Sequence, residues 1–125
     1  MSESILNSTK KVLGLEINYN AFDLDITTHI NAAFSTLNQL GVGPVDGFYI
    51  TGNEETWADI GLPSNQLHLA KSYIYLKVRS LFDPPATSFL IASSEKQLQE
   101  FEWRLNMFRE VALPDPVPEE TDDDN

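Results

Sequence analysis

Two adjacent prolines divide the second half of the chain into two long amphipathic segments. Before Pro84 and Pro85, apolar residues recur every three or four positions from Ser64 onward, which predicts a third helix that stops at Asp83 because proline cannot extend a helix. A fourth helix is predicted from Thr87 or Ser88 to Val111. Its apolar stripe has heptad-like spacing and comprises Ile91, Ser94, Leu98, Phe101, Leu105, Phe108 and Ala112.

The first half of the chain predicts two further helices. The first runs from Glu3 to Leu13, with Ser2 as a possible N-cap and Gly14 after its end. The second opens after Asp23 or Asp25 and ends at Gly41. Its predicted buried residues are Ile26, Ile30, Ala33, Phe34, Leu37 and Leu40.

The connection from Gly41 to Pro63 holds five of the six glycines, a strand-like run at residues 48–51 and a short amphipathic turn around Trp57. Loops of this length are uncommon in compact domains and usually serve a function. Phe48 and Trp57 lie on it, either as interface residues or as a local mini-core, and the sequence leaves both interpretations open. Trp103 falls beside the stripe of the fourth helix, which favours packing at the core edge over an interface role.

The fold class that follows is mainly α: a small bundle of about four helices with one long glycine-rich loop and an extended C-terminal tail. A chain of 125 residues forms one domain, here residues 1–112 with the loop at 41–63. Residues 113–125 form a proline-rich acidic tail, which cannot fold by itself.

Without cysteines the chain has no disulfides, thiolate nucleophiles or cysteine-ligated zinc. The short apolar runs and the N-terminal sequence predict a product made in the cytoplasm, neither secreted nor inserted into a membrane.

Charge is unevenly distributed along the chain. The net charge is −11, and residues 110–125 carry seven acids and no base, whereas residues 1–109 carry 12 acids and 8 bases. No basic stripe is available to hold phosphates, so specific binding to nucleic acid is not expected. Prolines alternate with other residues from Leu113 to Pro118, and this pattern predicts an extended backbone there.

The sequence contains no recognisable catalytic or metal-binding constellation. His29 and His68 are the two histidines, and neither has a second ligand at a suitable spacing. Glycines 41 and 43 lack the context of a phosphate loop. We therefore expect no enzyme activity, no metal and no cofactor.

Several segments together resemble the head-to-tail adaptor (connector) proteins of long-tailed bacteriophages. The resemblance covers roughly residues 3–110, and its most specific parts are the Leu37-Asn38-Gln39-Leu40-Gly41 segment and the corner Phe82-Asp83-Pro84-Pro85. Further matching segments are residues 3–15, 19–23, 30–44, 73–79 and 102–106. The acidic extension at the C-terminus matches least.

The resemblance implies a structural virion protein of the head–tail neck. Such a protein forms a homo-oligomeric ring, dodecameric on the portal, which joins the portal protein to a stopper or tail-completion protein while DNA passes through the lumen. It further implies that the C-terminal segment binds the portal, which here means Leu113, Pro114, Asp115, Pro116, Val117 and Pro118. Phe48, Tyr49 and Trp57 are the expected contacts with a neighbouring subunit or the stopper.

Two other functions remain as alternatives. An acidic DNA-mimic inhibitor of a nucleic-acid enzyme would suit the negative charge, although such a mimic should spread its carboxylates over a folded surface. A small transcriptional or assembly regulator is a third possibility, and the shortage of basic residues argues against it.

Overall fold

The computed structural model describes residues 3–112, with side chains up to Phe108. Within that range the chain forms four α-helices, namely α1 (Ile5–Val12), α2 (Asp23–Gln39), α3 (Ser64–Phe82) and α4 (Ser88–Ala112), and one 3-10 turn at Trp57–Ile60. The prediction of a small, mainly α-helical bundle is confirmed. The strand-like run at residues 48–51 is irregular, and the described residues contain only one isolated bridge, between Ser4 and Thr56.

The core lies where α2 packs between α1 and α3. All of the predicted buried residues of α2 are buried except Leu40, which is half-buried. From α3, the core receives Ala70, Tyr73, Ile74 and Val78, while α1 contributes Ile5 and Leu6. Leu81, which the periodicity placed on the buried face of the third helix, is 44% exposed because it lies at the end of the bundle.

Helix α1 starts later than its sequence predicts, and Ser4 rather than Ser2 is its N-cap. The Ser4 Oγ accepts a hydrogen bond from the backbone N–H of Asn7 at 3.2 Å. The residues just before the helix pair with the loop instead: the Ile5 N–H donates to the Glu55 carbonyl at 2.9 Å, and the Trp57 N–H donates to the Glu3 carbonyl at 3.3 Å. This pairing keeps Glu3 and Ser4 extended and so delays the first turn.

A buried lysine holds the connection between α1 and α2. Lys10 is 1% exposed, and its Nζ lies 2.8 Å from Asp23 Oδ1 and donates to the Ile17 carbonyl at 2.8 Å. A buried charge is costly unless it is paired and hydrogen-bonded. The Lys10 ammonium therefore fixes the path of residues 13–22 relative to the start of α2.

The glycine-rich segment at residues 41–63 follows the surface of the bundle and is tied to it at two places. The Asn31 side chain hydrogen-bonds both backbone groups of Ile50, accepting from its N–H at 2.8 Å and donating to its carbonyl at 2.9 Å. Further along, Trp57 and Ile60 enter the core. Between the ends of the segment, Gly43, Gly47 and Gly61 have positive φ angles, a conformation that favours glycine.

Candidate interaction surface

Helix α4 is an outer helix that packs along α3. The face of α4 that meets α3 carries the predicted heptad-like stripe, in which Leu105 is fully buried and Leu98, Phe101 and Phe108 pack against the core from its edge. Two polar contacts fasten the pair: the Tyr73 hydroxyl donates to Glu102 Oε2 at 2.9 Å, and the Ser80 and Ser94 hydroxyl oxygens lie 3.3 Å apart.

The Tyr73–Glu102 contact affects the ionisation of the phenol. Burial, together with the nearby Glu102 carboxylate, raises the pKa of Tyr73 above its usual value. The phenol therefore stays protonated at neutral pH and acts as a hydrogen-bond donor that joins α3 to α4.

The opposite face of α4 is exposed and carries large apolar side chains. Trp103 and Met107 each lie two residues from the buried Leu105, so at about 100° per residue they lie on a different side of α4 from the residue that packs deepest against α3. Their exposed fractions are 64% and 38%. The expectation that Trp103 packs at the core edge is therefore wrong, because α4 is a peripheral helix and its far side meets solvent.

An open groove of about 600 Å³ runs between the start of α3 and the end of α4. Its apolar lining consists of Leu69, Trp103, Met107 and Phe108, and its polar lining consists of Asn65, His68, Ser72 and Arg104. Among the side chains that the structure describes, none of those lining the groove is acidic, although the chain as a whole is strongly acidic. A concave apolar surface with an exposed tryptophan and an arginine has the composition of a protein-binding hot spot.

A second exposed apolar cluster occupies the first turn of α4. Phe89, Leu90 and Ile91 are 79%, 50% and 42% exposed. The sequence from Pro84 to Ser94 carries no charged residue, although Arg79 and Asp83 at the end of α3 line a pocket together with Leu90. Both ends of α4 therefore present apolar side chains to solvent.

A family comparison decides the class of protein to which this surface belongs. A family model described as a phage connector protein matches residues 5–112. The chain belongs to the phage connector protein family. No curated protein and no solved structure gives a significant match to it. Family membership indicates a structural component of the virion neck that contacts other head–tail proteins.

Within residues 3–112 there is no cluster of three or more side chains that could hold a metal ion. His29 is half-buried on α2 and His68 lines the groove, far apart in the sequence and on different helices. None of the helices in the described range combines the length and hydropathy that a bilayer crossing needs.

The three aromatic residues expected at an interface occupy three different environments. Trp57 is 1% exposed, and its Nε1 donates to the Ser8 hydroxyl at 2.9 Å. Its ring packs edge-on against Tyr75 and lies beneath the Lys71 ammonium. In this monomer Trp57 is therefore a core residue, which is the mini-core alternative of the sequence analysis.

Phe48 and Tyr49 lie side by side in the sequence but differ in exposure. Phe48 is partly buried and packs edge-on against Phe34, with ring centroids 5.1 Å apart. Tyr49 is 68% exposed. Of the three aromatics, Tyr49 is the one whose ring a partner can reach without opening the loop. The six residues expected to bind the portal, 113–118, lie outside the described residues.

The sequence reasoning missed the groove, although part of its signal was present. On α4, Trp103 and Met107 repeat at a spacing of four on the side away from the predicted stripe. A second apolar repeat on one helix indicates two contact faces. The α3 side of the groove, from Asn65 to Ser72, had no comparable signal because its residues are mostly polar.

Proposed function

We propose that this connector is a structural protein of the phage neck that forms a ring between the portal and the stopper or tail-completion proteins. The observation that carries the proposal is the exposed apolar groove on the outer helix of a member of the connector family. A monomer gains nothing from exposing Trp103 to water, whereas an assembly subunit needs such a surface to bind its neighbours. By family resemblance the ring has twelve subunits on the portal.

The charge distribution supports passage of DNA through the lumen of such a ring. The chain has 19 acidic residues against 8 basic ones, and one of the bases, Lys10, is buried in an ion pair. Affinity for DNA depends mainly on basic residues that contact phosphates. A surface of this charge lets DNA pass without holding it.

We assign the proposed contacts to three regions. The groove around Trp103 and the exposed Tyr49 would contact a neighbouring subunit or the stopper. The segment from Leu113 to Pro118 would bind the portal, since its prolines favour an extended backbone and so lower the entropy lost on docking. Phe48, which packs against Phe34, precedes Tyr49 in the loop, and the buried Trp57 anchors the loop in the core.

The groove assignment can be tested with a charged substitution. Trp103→Glu places a carboxylate in the apolar groove, and we expect it to abolish co-sedimentation with purified neck proteins while the circular dichroism spectrum stays that of the parent chain. Lys11→Glu, at an exposed position on α1, is the control and should bind normally. Normal binding by Trp103→Glu would show that the neck contacts lie elsewhere.

A further inference from the structure

Beside the stripe that packs on α3, helix α4 carries a second repeat on its more exposed side. Its members follow one another at spacings of four, three, four, three and four, and they are Phe89, Ser93, Lys96, Glu100, Trp103 and Met107. We call these six residues the outer stripe. Such alternating spacing keeps all members on one side of a helix and is the pattern of helix pairing. The stripe spans nineteen residues, from Phe89 to Met107, and is about 27 Å long.

Five of the six members of the outer stripe are exposed in this monomer, and Ser93 is half-buried. Phe89 and Trp103 are the most exposed of its apolar members, at 79% and 64%. Lys96 is exposed and makes no ion pair within the part of the chain that the structure describes, while Glu100 contacts only Arg104, at 3.0 Å, with 60% of its side chain accessible. The stripe thus has apolar ends and a central pair of opposite charges.

We propose that two copies of this chain associate through their outer stripes, with the two α4 helices antiparallel. In the antiparallel register that centres on residue 98, Lys96 of each copy faces Glu100 of the other. Phe89 faces Met107 of the second copy, and Trp103 faces the small Ser93. Every position of the stripe then meets a residue of complementary charge, polarity or size.

The charges of Lys96 and Glu100 favour the antiparallel arrangement over the parallel one. In a parallel, in-register pair each residue faces its own copy, so Lys96 would meet Lys96 and Glu100 would meet Glu100. Like charges directly opposed across a helix pair are destabilising, and opposite charges at such positions set partner orientation. The antiparallel pair has two attractive contacts where the parallel pair has two repulsive ones.

The area of the stripe sets the strength of the association. A strip about 27 Å long and about 10 Å wide covers roughly 270 Å² on each copy. A standard stable interface buries about 800 Å² on each partner. The dimer is therefore weak and reversible, and it covers Trp103 only until a stronger partner competes for the same face.

Charge reversal with rescue tests the proposal on the purified full-length chain. Equilibrium sedimentation over a wide concentration range should show a monomer–dimer equilibrium. Lys96→Glu and Glu100→Lys should each weaken the dimer by about tenfold, since symmetry repeats each altered contact twice and an exposed pair contributes a factor of about two to five. The double variant Lys96→Glu/Glu100→Lys should restore the dimer.

The two single variants separate a specific contact from a general charge effect. The chain has a net charge of −11, so Lys96→Glu raises its negative charge and Glu100→Lys lowers it. General repulsion alone would make the first variant associate less and the second more, whereas the antiparallel contact weakens in both. Lys11→Glu changes the charge as Lys96→Glu does, on exposed α1, and should leave the dimer nearly unchanged.

Several results would overturn the proposal. They are a wild-type chain that stays monomeric at the highest concentration, a stronger dimer in Glu100→Lys, a double variant that fails to recover, or growth beyond the dimer into open chains. Circular dichroism establishes that each variant is folded. Because no neck protein is present in this experiment, its outcome is independent of the proposed role in the neck.

Discussion

The two tryptophans of the chain occupy opposite environments. Trp57 is 1% exposed and donates a hydrogen bond to the Ser8 hydroxyl, whereas Trp103 is 64% exposed on the far side of α4. Large aromatic side chains contribute to folding when they are buried and to binding when they are exposed. Trp57 therefore contributes to folding, and for Trp103 we propose a role in binding.

Alanine substitutions at the two positions should separate folding from binding. Trp57→Ala should lower the free energy of unfolding by about 3–5 kcal/mol because it leaves a large cavity between α1 and α3. Trp103→Ala should change it by less than about 0.5 kcal/mol, as is usual for exposed positions. Urea unfolding followed by circular dichroism measures both. Equal losses in the two variants would contradict the burial described here.

Tyr73 should make the stability of the protein depend on pH in the alkaline range. The pKa of its phenol is raised in the folded chain, so the folded state holds this proton more tightly than the unfolded state does. The contribution is complete below the ordinary tyrosine pKa of about 10 and is lost as pH rises above that value. The Tyr73→Phe variant has no phenol hydroxyl at this position, so it lacks this contribution to the pH dependence.

The measurement is the free energy of unfolding between neutral pH and about pH 11 for both proteins. The wild type should lose stability above about pH 10 more steeply than Tyr73→Phe does. The other titrating groups are common to the two chains, so they cancel in the difference. Parallel curves would show that the phenol is not protected by its contact with Glu102.

At the scale of elements, the helices were predictable because their signals are local. The pair Pro84-Pro85 stops α3 and sets the start of α4, and the apolar spacing of α2 identified the side that the bundle buries. That Trp103, on another side of α4 from the predicted stripe, would stay exposed was not predictable in this way. That depends on α4 having α3 as its main neighbour, a fact of tertiary packing that no local pattern states.

The loop at residues 41–63 shows the same limit. The sequence left open whether its aromatics form an interface or a local mini-core, because the contacts that anchor the loop come from distant residues. Asn31 on α2 binds the Ile50 backbone, and Ser8 on α1 binds Trp57. These contacts join residues that are 19 and 49 positions apart, so the local sequence pattern does not predict them.

Asn31→Ala should loosen the middle of this loop without unfolding the bundle. The substitution removes both hydrogen bonds to Ile50, each contributing about 0.5–1.5 kcal/mol. Amide hydrogen exchange around Ile50 should therefore quicken, while exchange in α2 and α3 stays slow. Asn53→Ala, at an exposed position of the same loop, should change neither. Unchanged exchange at Ile50 in Asn31→Ala would show that the loop is held by other contacts.

At the scale of the whole molecule, this connector combines a compact three-helix core with an outer helix that presents apolar residues at both ends. Such a division suits a subunit whose fold stays intact while its exposed surface binds different partners. Residues 113–125 follow directly after α4 and carry six of the 19 acids. In the sequence, these six carboxylates therefore follow the end of the helix that lines the groove.

Deletion of residues 113–125 should leave the monomer folded but weaken its binding to the portal. The helices and core described here lie within residues 3–112, so the melting temperature should change little. If the carboxylates meet basic residues on the portal, salt should weaken the complex of the intact chain more than that of the truncated one. Surface plasmon resonance at two salt concentrations measures both effects. Equal affinities would remove the tail from the portal contact.

The central claim is that this chain forms a ring at the phage neck, and electron microscopy of the purified portal with and without the protein tests it most directly. We expect an added ring of density at one end of the portal, with the portal's own rotational symmetry and a continuous central channel. Portal particles that look the same in the presence of excess protein would contradict the account.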